Sequence, residues 1–270
     1  MKTRILAAVV LLPLLLVVVL VLPNLYTALL FGVLSAIGAY ELMWRTGLVR
    51  HPRLLMYAMV FAFLMPLWCH FGKVYLWALL GILVYSCLLY AEVLASHGKL
   101  SYKQVAVAVM AGIWVPFLLN ALVRIHGMQK GRFLILIPFV LAFLSDTGAY
   151  FAGRAFGKHK LAPVISPNKT VEGVVGGVLG AIVGMVLYCV VLQFIFQFQV
   201  NYLYAAIYGL TGSLAAVFGD LSFSAVKRQT GIKDYGNLIP GHGGVLDRFD
   251  SMTVVAPLAE ALLLCIPVVM

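Results

Sequence analysis

Nine apolar segments, each close to the length of a membrane crossing, constrain the possible folds of this chain more than any other feature. A crossing helix needs about 20 mostly apolar residues. Of the 270 residues, 63% are hydrophobic and 10% are charged, whereas a soluble domain is about half apolar and about a quarter charged. The sequence therefore predicts an all-α fold, a polytopic integral membrane helix bundle of about nine transmembrane helices. The segments lie at about 5–22, 25–44, 54–71, 74–94, 103–124, 131–153, 172–196, 202–222 and 252–269.

The distribution of lysine and arginine predicts how these helices are oriented. If the amino terminus lies in the cytoplasm, the inside loops carry 15 of the 19 basic residues and the outside loops carry four. Cytoplasmic loops of membrane proteins hold this kind of excess positive charge. The net charge of +10 then favours contact with anionic lipid, so no nucleic-acid partner is expected.

Chain order divides the helices into three predicted groups. Residues 1–71 hold the amino-terminal transmembrane helices, residues 72–153 the middle ones, and residues 154–270 the carboxy-terminal catalytic helices and cytoplasmic loops. Two inside segments in the last group, 154–171 and 223–251, are long, polar and rich in Gly, Pro, Lys and Asp. Long polar loops on a compact scaffold are where function concentrates, so we expect the site there.

The carboxylates are few, and their positions are informative. Six of the nine lie between residues 146 and 250. Asp146 and Asp220 are predicted near the cytoplasmic ends of otherwise apolar helices, where an ionised side chain is costly unless it meets a cation or a water-filled cavity. Each is either a functional residue or an acid at a helix end that reaches interfacial water.

The second long loop combines groups that suit phosphate chemistry. Gly241, Gly243 and Gly244 allow successive N–H groups to converge on an anion. Asp247 and Asp250 stand three residues apart and would share one face if this stretch opens the last helix, an arrangement suited to Mg2+. The simpler alternative is a solvated, glycine-rich connection in which His242 is a turn residue and Asp247 caps a helix. Its cations, which could neutralise phosphate oxygens, are Lys227, Arg228, Lys233 and Arg248.

The first long loop ends at the start of the seventh predicted helix. Ser166 or Asn168 could cap that helix, and Glu172 could lie in its first turn. Lys169, beside the helix amino terminus, could help to hold a phosphate or could meet lipid headgroups. Gly173, Gly176, Gly177, Gly180 and Gly184 form two overlapping small-residue faces that predict close helix packing.

With these residues in view, the chain resembles the phosphatidate cytidylyltransferase family. The resemblance is carried by the run from Ser224 to Asp250 and by an upstream block from Ser145 to Gly173, and it covers 145–251 strongly. It implies an enzyme of the inner (cytoplasmic) membrane that joins phosphatidic acid to CTP, giving CDP-diacylglycerol and pyrophosphate. It also implies a homodimer of about nine helices per chain, with its active site facing the cytoplasm.

The resemblance also assigns roles to particular residues. It implies Mg2+ as cofactor, with room for a second cation, held by Asp220, Asp247 and Asp250. We expect Lys233 and Arg248 to be catalytic along with these three acids. Lys233, His242, Arg248 and the loop glycines are predicted to receive the triphosphate, and Lys169, Lys227 and Arg228 the lipid phosphate. The expected substrate-binding residues are Asp146, Arg154, Lys160, Asn168, Lys169, Ser224, Lys227, Arg228, Asp234, His242, Gly243 and Gly244.

Competing functions fit the sequence less well. A CDP-alcohol phosphotransferase pattern begins with Asp-Gly, a dipeptide that does not occur in this chain, and a G-x-x-x-x-G-K-[ST] nucleotide loop is also absent. A transporter would place polar residues along several helices through the midplane, whereas here most acids lie towards one side. A purely structural scaffold would not need Asp247 and Asp250 beside a glycine-rich loop.

Overall fold

A computed structural model describes residue 9 and residues 13–71, 74–238 and 243–269, without the side chains of Cys69 and Val74. Lys2, Arg4, much of the first apolar segment and His242 lie outside the described residues. The fold is almost wholly helical, as predicted. The helices are α1 (described over 13–20), α2 (Asn24–Tyr40), α3 (Pro52–His70), α4 (Val74–Ala95), α5 (Tyr102–Val109), α6 (Val115–Leu119), α7 (Ala121–His126), α8 (Gly131–Leu134), α9 (Leu136–Phe156), α10 (Val171–Phe196), α11 (Tyr202–Gln229), α12 (Leu246–Phe249) and α13 (Met252–Cys265).

The helices are long and apolar enough to make this a multi-pass membrane protein. Within the described part of the chain, six helical spans meet the length and hydropathy of a membrane crossing, and two apolar helices are shorter. The all-α polytopic bundle is thus confirmed, while the number nine stays a prediction. The six spans are Asn24–Arg45, Tyr75–Ala95, Tyr102–His126, Gly131–Phe156, Val171–Phe196 and Tyr202–Gln229, and the shorter helices are Pro52–Trp68 and Met252–Cys265.

The chain forms two compact units, each built from two separate stretches of sequence. The first unit comprises Met1–Arg132 and Gln229–Phe249, and the second comprises Phe133–Arg228 and Asp250–Met270. The three successive helix groups expected from chain order stay a prediction.

The core of the first unit is formed mainly by α2 and α3, with two π-helical turns in the neighbouring spans. One π turn, Glu41–Arg45, continues α2, and the other, Met110–Trp114, joins α5 to α6. Phe61 and Tyr85 stack with their ring centroids 4.7 Å apart. One polar pair lies inside this core, where Thr27 Oγ1 is 2.8 Å from His126 Nδ1.

In the second unit, α9 and α10 pack closely along the predicted glycine face. A Cβ on Gly176 would collide with Ala152 on α9 and would lie 2.8 Å from the Gly148 carbonyl oxygen. A Cβ on Gly177 would lie 3.0 Å from the Ser145 carbonyl oxygen. Small residues let helix backbones approach in this way, so the packing prediction is confirmed.

Both long polar segments are more ordered than predicted. The expected loop from residue 223 begins with helix: α11 continues to Gln229, because residues 223–229 contain no glycine or proline. It ends just before Gly231, whose φ of +73° suits glycine. The first segment contains an antiparallel hairpin, β1 (Lys160–Ala162) and β2 (Ser166–Thr170).

Candidate active site

Asp220 and Asp250 are brought together in the second unit by a glycine. Asp220 lies on α11, and the preceding residue, Gly219, faces the backbone of Asp250 and Ser251. A Cβ on Gly219 would lie 2.8 Å from the Asp250 carbonyl oxygen and 2.9 Å from Ser251 Cα. The absent side chain therefore allows the connection between α12 and α13 to lie directly against α11.

Two lysines and a serine surround these acids. Lys169 Nζ forms an ion pair with Asp220 Oδ2, and Ser224 Oγ donates a hydrogen bond of 3.2 Å to Asp220 Oδ1. The Lys227 side chain is only 9% exposed, and its charge acts on Asp250. We call Lys169, Asp220, Ser224, Lys227 and Asp250 the Asp220 cluster.

The electrostatics of Asp250 show why this cluster suits a cation. Burial raises the pKa of the Asp250 carboxyl, and the neighbouring Asp220 carboxylate raises it further. The Ser251 N–H, which donates a 2.7 Å hydrogen bond to Asp250 Oδ1, and the Lys227 charge oppose this rise in pKa. A bound cation would favour the ionised forms of both acids.

The donor set of the Asp220 cluster can be compared with the needs of Mg2+. Among the residues that the structure describes, no three His, Cys, Asp or Glu side chains form a group that could hold a metal ion. Mg2+, however, is commonly bound by one or two carboxylates together with waters and substrate phosphates. Asp220 and Asp250 supply two hard oxygen donors of this kind, so they fit the ion.

The hairpin is attached to α11 at two points. Lys169 lies on β2 and reaches Asp220, while Arg228 Nε donates a 3.1 Å hydrogen bond to the Ile165 carbonyl oxygen. Its far end is held by Glu172, which accepts hydrogen bonds from the N–H groups of Lys158 and His159. The hairpin thus places Lys169 beside Asp220 of α11.

In the first unit, Asp247 organises the glycine-rich loop of the second polar segment. Asp247 Oδ2 accepts hydrogen bonds from Tyr235 N at 2.7 Å and from Gly244 N at 3.0 Å. Gly243 has a φ of +85°, a left-handed conformation that glycine adopts without strain. The two ends of this loop are therefore joined through one carboxylate.

A second carboxylate, Glu41, holds the same loop from the end of α2. Its Oε1 accepts a hydrogen bond from Val245 N and its Oε2 one from Leu246 N, both at 2.9 Å. Sequence reasoning missed this residue. A usable signal was present, because Glu41 is an acid at the end of an apolar segment, where an unpaired charge is costly.

Comparison with known proteins agrees with these features. The model of a family described as the cytidylyltransferase family matches residues 2–266. The phosphatidate cytidylyltransferase of Pseudomonas aeruginosa is 39% identical to this chain, over 97% of both proteins.

The chain belongs to the cytidylyltransferase family.

Two further relatives carry the same name. The phosphatidate cytidylyltransferase of Staphylococcus saprophyticus is 36% identical over 68% of each protein. That of Haemophilus influenzae is 42% identical over 49% of this chain, a match that covers 46% of the Haemophilus protein.

The structure of this family member groups some of the predicted site residues and leaves others apart. The five members of the Asp220 cluster lie together, and Gly243, Gly244 and Asp247 lie together in the other unit. Lys160 and Asn168 are exposed on the hairpin that Arg228 holds. His242 lies outside the described residues. The remaining predicted residues, Asp146, Arg154, Lys233, Asp234 and Arg248, are exposed, and of these Asp146 lies close enough to the Asp220 cluster for its charge to act on Asp250.

Three local predictions are corrected. The cap of α10 is neither Ser166 nor Asn168 but Thr170, the last residue of β2, whose Oγ1 accepts a hydrogen bond of 3.1 Å from Gly173 N. Glu172 does lie in the first turn, as predicted.

The other two corrections concern the acids. Asp247 and Asp250 do not share a face of the last helix, because α12 ends at Phe249 and α13 begins at Met252. Neither Asp146 nor Asp220 lies at a helix end, since α9 continues for ten residues after Asp146 and α11 for nine after Asp220, which is about 14 Å of helix or more.

Proposed function

We propose that this chain transfers the cytidylyl group of CTP to phosphatidic acid, giving CDP-diacylglycerol and pyrophosphate. A phosphate oxygen of the lipid attacks the α-phosphorus of CTP and forms a new P–O bond. The bond from that phosphorus to the β-phosphate oxygen breaks, and pyrophosphate leaves with the electron pair. The observation that carries the proposal is the Asp220 cluster, in a chain whose relatives are named phosphatidate cytidylyltransferases.

The Asp220 cluster suits this reaction because it neutralises charge. A phosphomonoester has a second pKa of about 6 and is already anionic near neutral pH, so the attacking oxygen needs no strong general base. Asp220 and Asp250 are the residues that would hold Mg2+, and the ion would supply charge stabilisation at the phosphates. Lys169 and Lys227 place positive charge beside these acids, and we assign Lys169, Lys227 and Arg228 to the lipid phosphate.

The loop of the first unit is assigned to the triphosphate. Gly243 and Gly244 belong to the set of residues predicted to bind the triphosphate, and Lys233 and Arg248 are exposed cations of the same segment. His242 belongs to the predicted set of triphosphate-binding residues. The role of Asp247 as a third metal ligand stays a prediction. In the structure its Oδ2 accepts hydrogen bonds from two backbone N–H groups.

The proposal includes a location and an assembly. The excess of lysine and arginine on alternate loops supports a cytoplasmic amino terminus and a site that faces the cytoplasm. We place the protein in the inner membrane, where its lipid substrate and product are dissolved, and expect a homodimer.

The deciding experiment measures pyrophosphate release by the purified protein in detergent, with CTP, Mg2+ and phosphatidic acid. The matched variants are Asp220→Asn and Asp250→Asn, with Glu260→Gln on α13 as a control carboxylate. We expect lipid-dependent release in the wild type and in the control, and a loss of about 100-fold or more in the two Asn variants, as for other groups that stabilise transition-state charge. Folded wild-type protein that releases no pyrophosphate with several lipids and cations would contradict the proposal.

A further inference from the structure

The most completely enclosed carboxylate of the first unit has no role in the reaction as described. Glu41 is only 2% exposed and lies in the π turn that continues α2. π turns inside helices are rare and occur frequently at functional sites. The side chain binds Val245 N and Leu246 N, more than 200 residues later in the chain.

The loop is shaped to fit this carboxylate. Gly244 and Gly236 both face it, and a Cβ on Gly244 would lie 2.6 Å from Glu41 Cδ and 2.7 Å from Glu41 Oε2. A Cβ on Gly236 would lie 3.1 Å from Glu41 Cδ. Glycine at both positions is therefore needed for the Glu41 carboxylate to occupy its place.

The helix that carries Glu41 also packs on the segment that follows the loop. A Cβ on Gly38 would lie 3.1 Å from Leu246 Cδ2, and the Phe31 and Phe249 rings meet edge to face with centroids 5.9 Å apart. The carboxylate therefore extends from a packed surface. Bonds from an ionised acceptor to backbone N–H groups are roughly twice as strong as neutral ones.

Glu41 and Asp247 accept hydrogen bonds from different backbone N–H groups of this loop. The N–H groups of Val245 and Leu246 point to Glu41, and that of Gly244 points to Asp247. A phosphate that binds this loop therefore meets a backbone whose shape is already fixed by acids from within the protein. Fixing a loop in its binding conformation reduces the ordering cost at the moment of binding.

We propose that Glu41 is a positioning residue for the nucleotide: through Val245 and Leu246 it holds the segment from Gly243 to Arg248 in the shape that receives the CTP triphosphate. This inference rests on the proposed function. Glu41 acts through the loop and does not contact the substrate.

The test compares the two Michaelis constants in Glu41→Gln, Glu41→Asp and a matched control. An amide side chain offers one acceptor oxygen where the carboxylate offers two, so Glu41→Gln should raise the KM for CTP about tenfold. The KM for phosphatidic acid should stay within about twofold of wild type, since the lipid is not bound by this loop. Glu41→Asp keeps two acceptors on a shorter side chain and should give an intermediate KM for CTP. The control, Glu92→Gln, removes another buried carboxylate of the same unit, one that binds Tyr57 and Arg53, and should leave both constants unchanged.

A second variant covers the case in which Glu41→Gln does not fold. Gly236→Ala leaves Glu41 in the sequence and displaces its carboxylate, so it should raise the KM for CTP in the same way. An unchanged KM for CTP in folded Gly236→Ala or Glu41→Gln would overturn the proposal. So would a fall in kcat alone, in proportion to the folded fraction, because that is the result of a purely structural role.

Amide hydrogen exchange separates this inference from the proposed reaction. Exchange at Val245 and Leu246, measured without substrate, should be faster in Glu41→Gln than in wild type and unchanged in Glu92→Gln. If the wild type shows no cytidylyl transfer, the proposed function fails while the exchange result still reports whether Glu41 holds the loop. If transfer is present but exchange is unchanged in Glu41→Gln, the positioning role fails alone.

Discussion

The acids of this chain show how a charged side chain is accommodated within a membrane-spanning helix. Asp220 lies inside the span Tyr202–Gln229, where an unpaired carboxylate would be strongly disfavoured. It is instead bound by Lys169 and by Ser224, one turn further along its own helix. Both side chains of the ion pair remain about a quarter exposed, with 23% for Lys169 and 29% for Asp220. The pair is therefore accessible to an anionic ligand or a cation.

A first prediction assigns two lysines to different substrates. Lys169→Ala should raise the KM for phosphatidic acid about tenfold, because one charged hydrogen-bond donor is lost from the lipid phosphate. Lys233→Ala should instead raise the KM for CTP. Steady-state kinetics with each substrate varied in turn measure both constants, and each variant is the control for the other. The reverse pattern, with Lys169→Ala acting on CTP and Lys233→Ala on the lipid, would refute the assignment.

At the scale of helices and strands, the close contact of α9 and α10 holds the second unit together. Gly148 and Gly176 meet backbone to backbone, so this contact requires residues without a side chain at both positions. On the other face of α10 the residues are large and exposed, as expected for contact with lipid chains, among them Val175, Leu179, Val183 and Leu187.

A second prediction tests this packing. Gly176→Leu should lower the free energy of unfolding by about 1 to 3 kcal/mol or more, as for other overpacked interiors. Val175→Leu, at an exposed position of the same helix, should have little effect. Thermal unfolding of both variants in detergent, followed by circular dichroism, makes the comparison. Equal stability of the two variants would show that the α9–α10 contact is not tightly packed.

The hairpin is the other element on which the Asp220 cluster depends. Its turn is held by the bond from Arg228 Nε to the Ile165 carbonyl oxygen, and its second strand carries Lys169. A strand pair of this length is marginal in water without other contacts. Its order must therefore come from its attachments to the helices.

A third prediction concerns that attachment. In Arg228→Ala, amide hydrogen exchange across residues 160–170 should become faster than in wild type, since the turn loses its bond to α11. Arg154→Ala is a suitable control, because the Arg154 guanidinium donates to Tyr150 on its own helix at 3.3 Å. Unchanged exchange in Arg228→Ala would mean that Glu172 and Lys169 are sufficient to hold the hairpin.

At the scale of the whole molecule, the proposed orientation determines which aqueous compartment supplies CTP. The hairpin and the connection at 127–130 lie at opposite ends of the span Gly131–Phe156. They must face opposite sides if this span crosses the membrane. In the proposed orientation, which follows the positive-inside distribution, the hairpin lies in the cytoplasm.

A fourth prediction tests the orientation with single cysteines in a chain whose four native cysteines are replaced. Gln129→Cys should react with a membrane-impermeant maleimide added outside intact spheroplasts. Val164→Cys, at an exposed position of the hairpin turn, should react only in inverted vesicles. The opposite labelling would reverse the orientation, and labelling of both from one side would mean that the span does not cross.

Local sequence properties were sufficient to predict much of this protein. Hydropathy depends on neighbouring residues alone, so the apolar segments predicted most helices and the membrane location. Glycine spacing on α10 predicted its packing face, because that face is defined by the period of one helix. The sequence also predicted which residue types form the site, because the acids, lysines and glycines lie in or near the two long polar segments.

Tertiary structure decided which of these groups meet. Asp220 and Asp250 are neighbours because Gly219 allows a distant backbone to approach α11, and Lys169 joins them through a hairpin that the polar sequence of 154–171 did not reveal. Thr170, rather than Ser166 or Asn168, caps α10 because β2 continues as far as Thr170 and the helix begins at the next residue, Val171. Glu41 holds a loop more than 200 residues away. No local pattern encodes such partners, since a hydrogen bond depends on the path of the whole chain, while hydropathy and helical period depend only on adjacent residues.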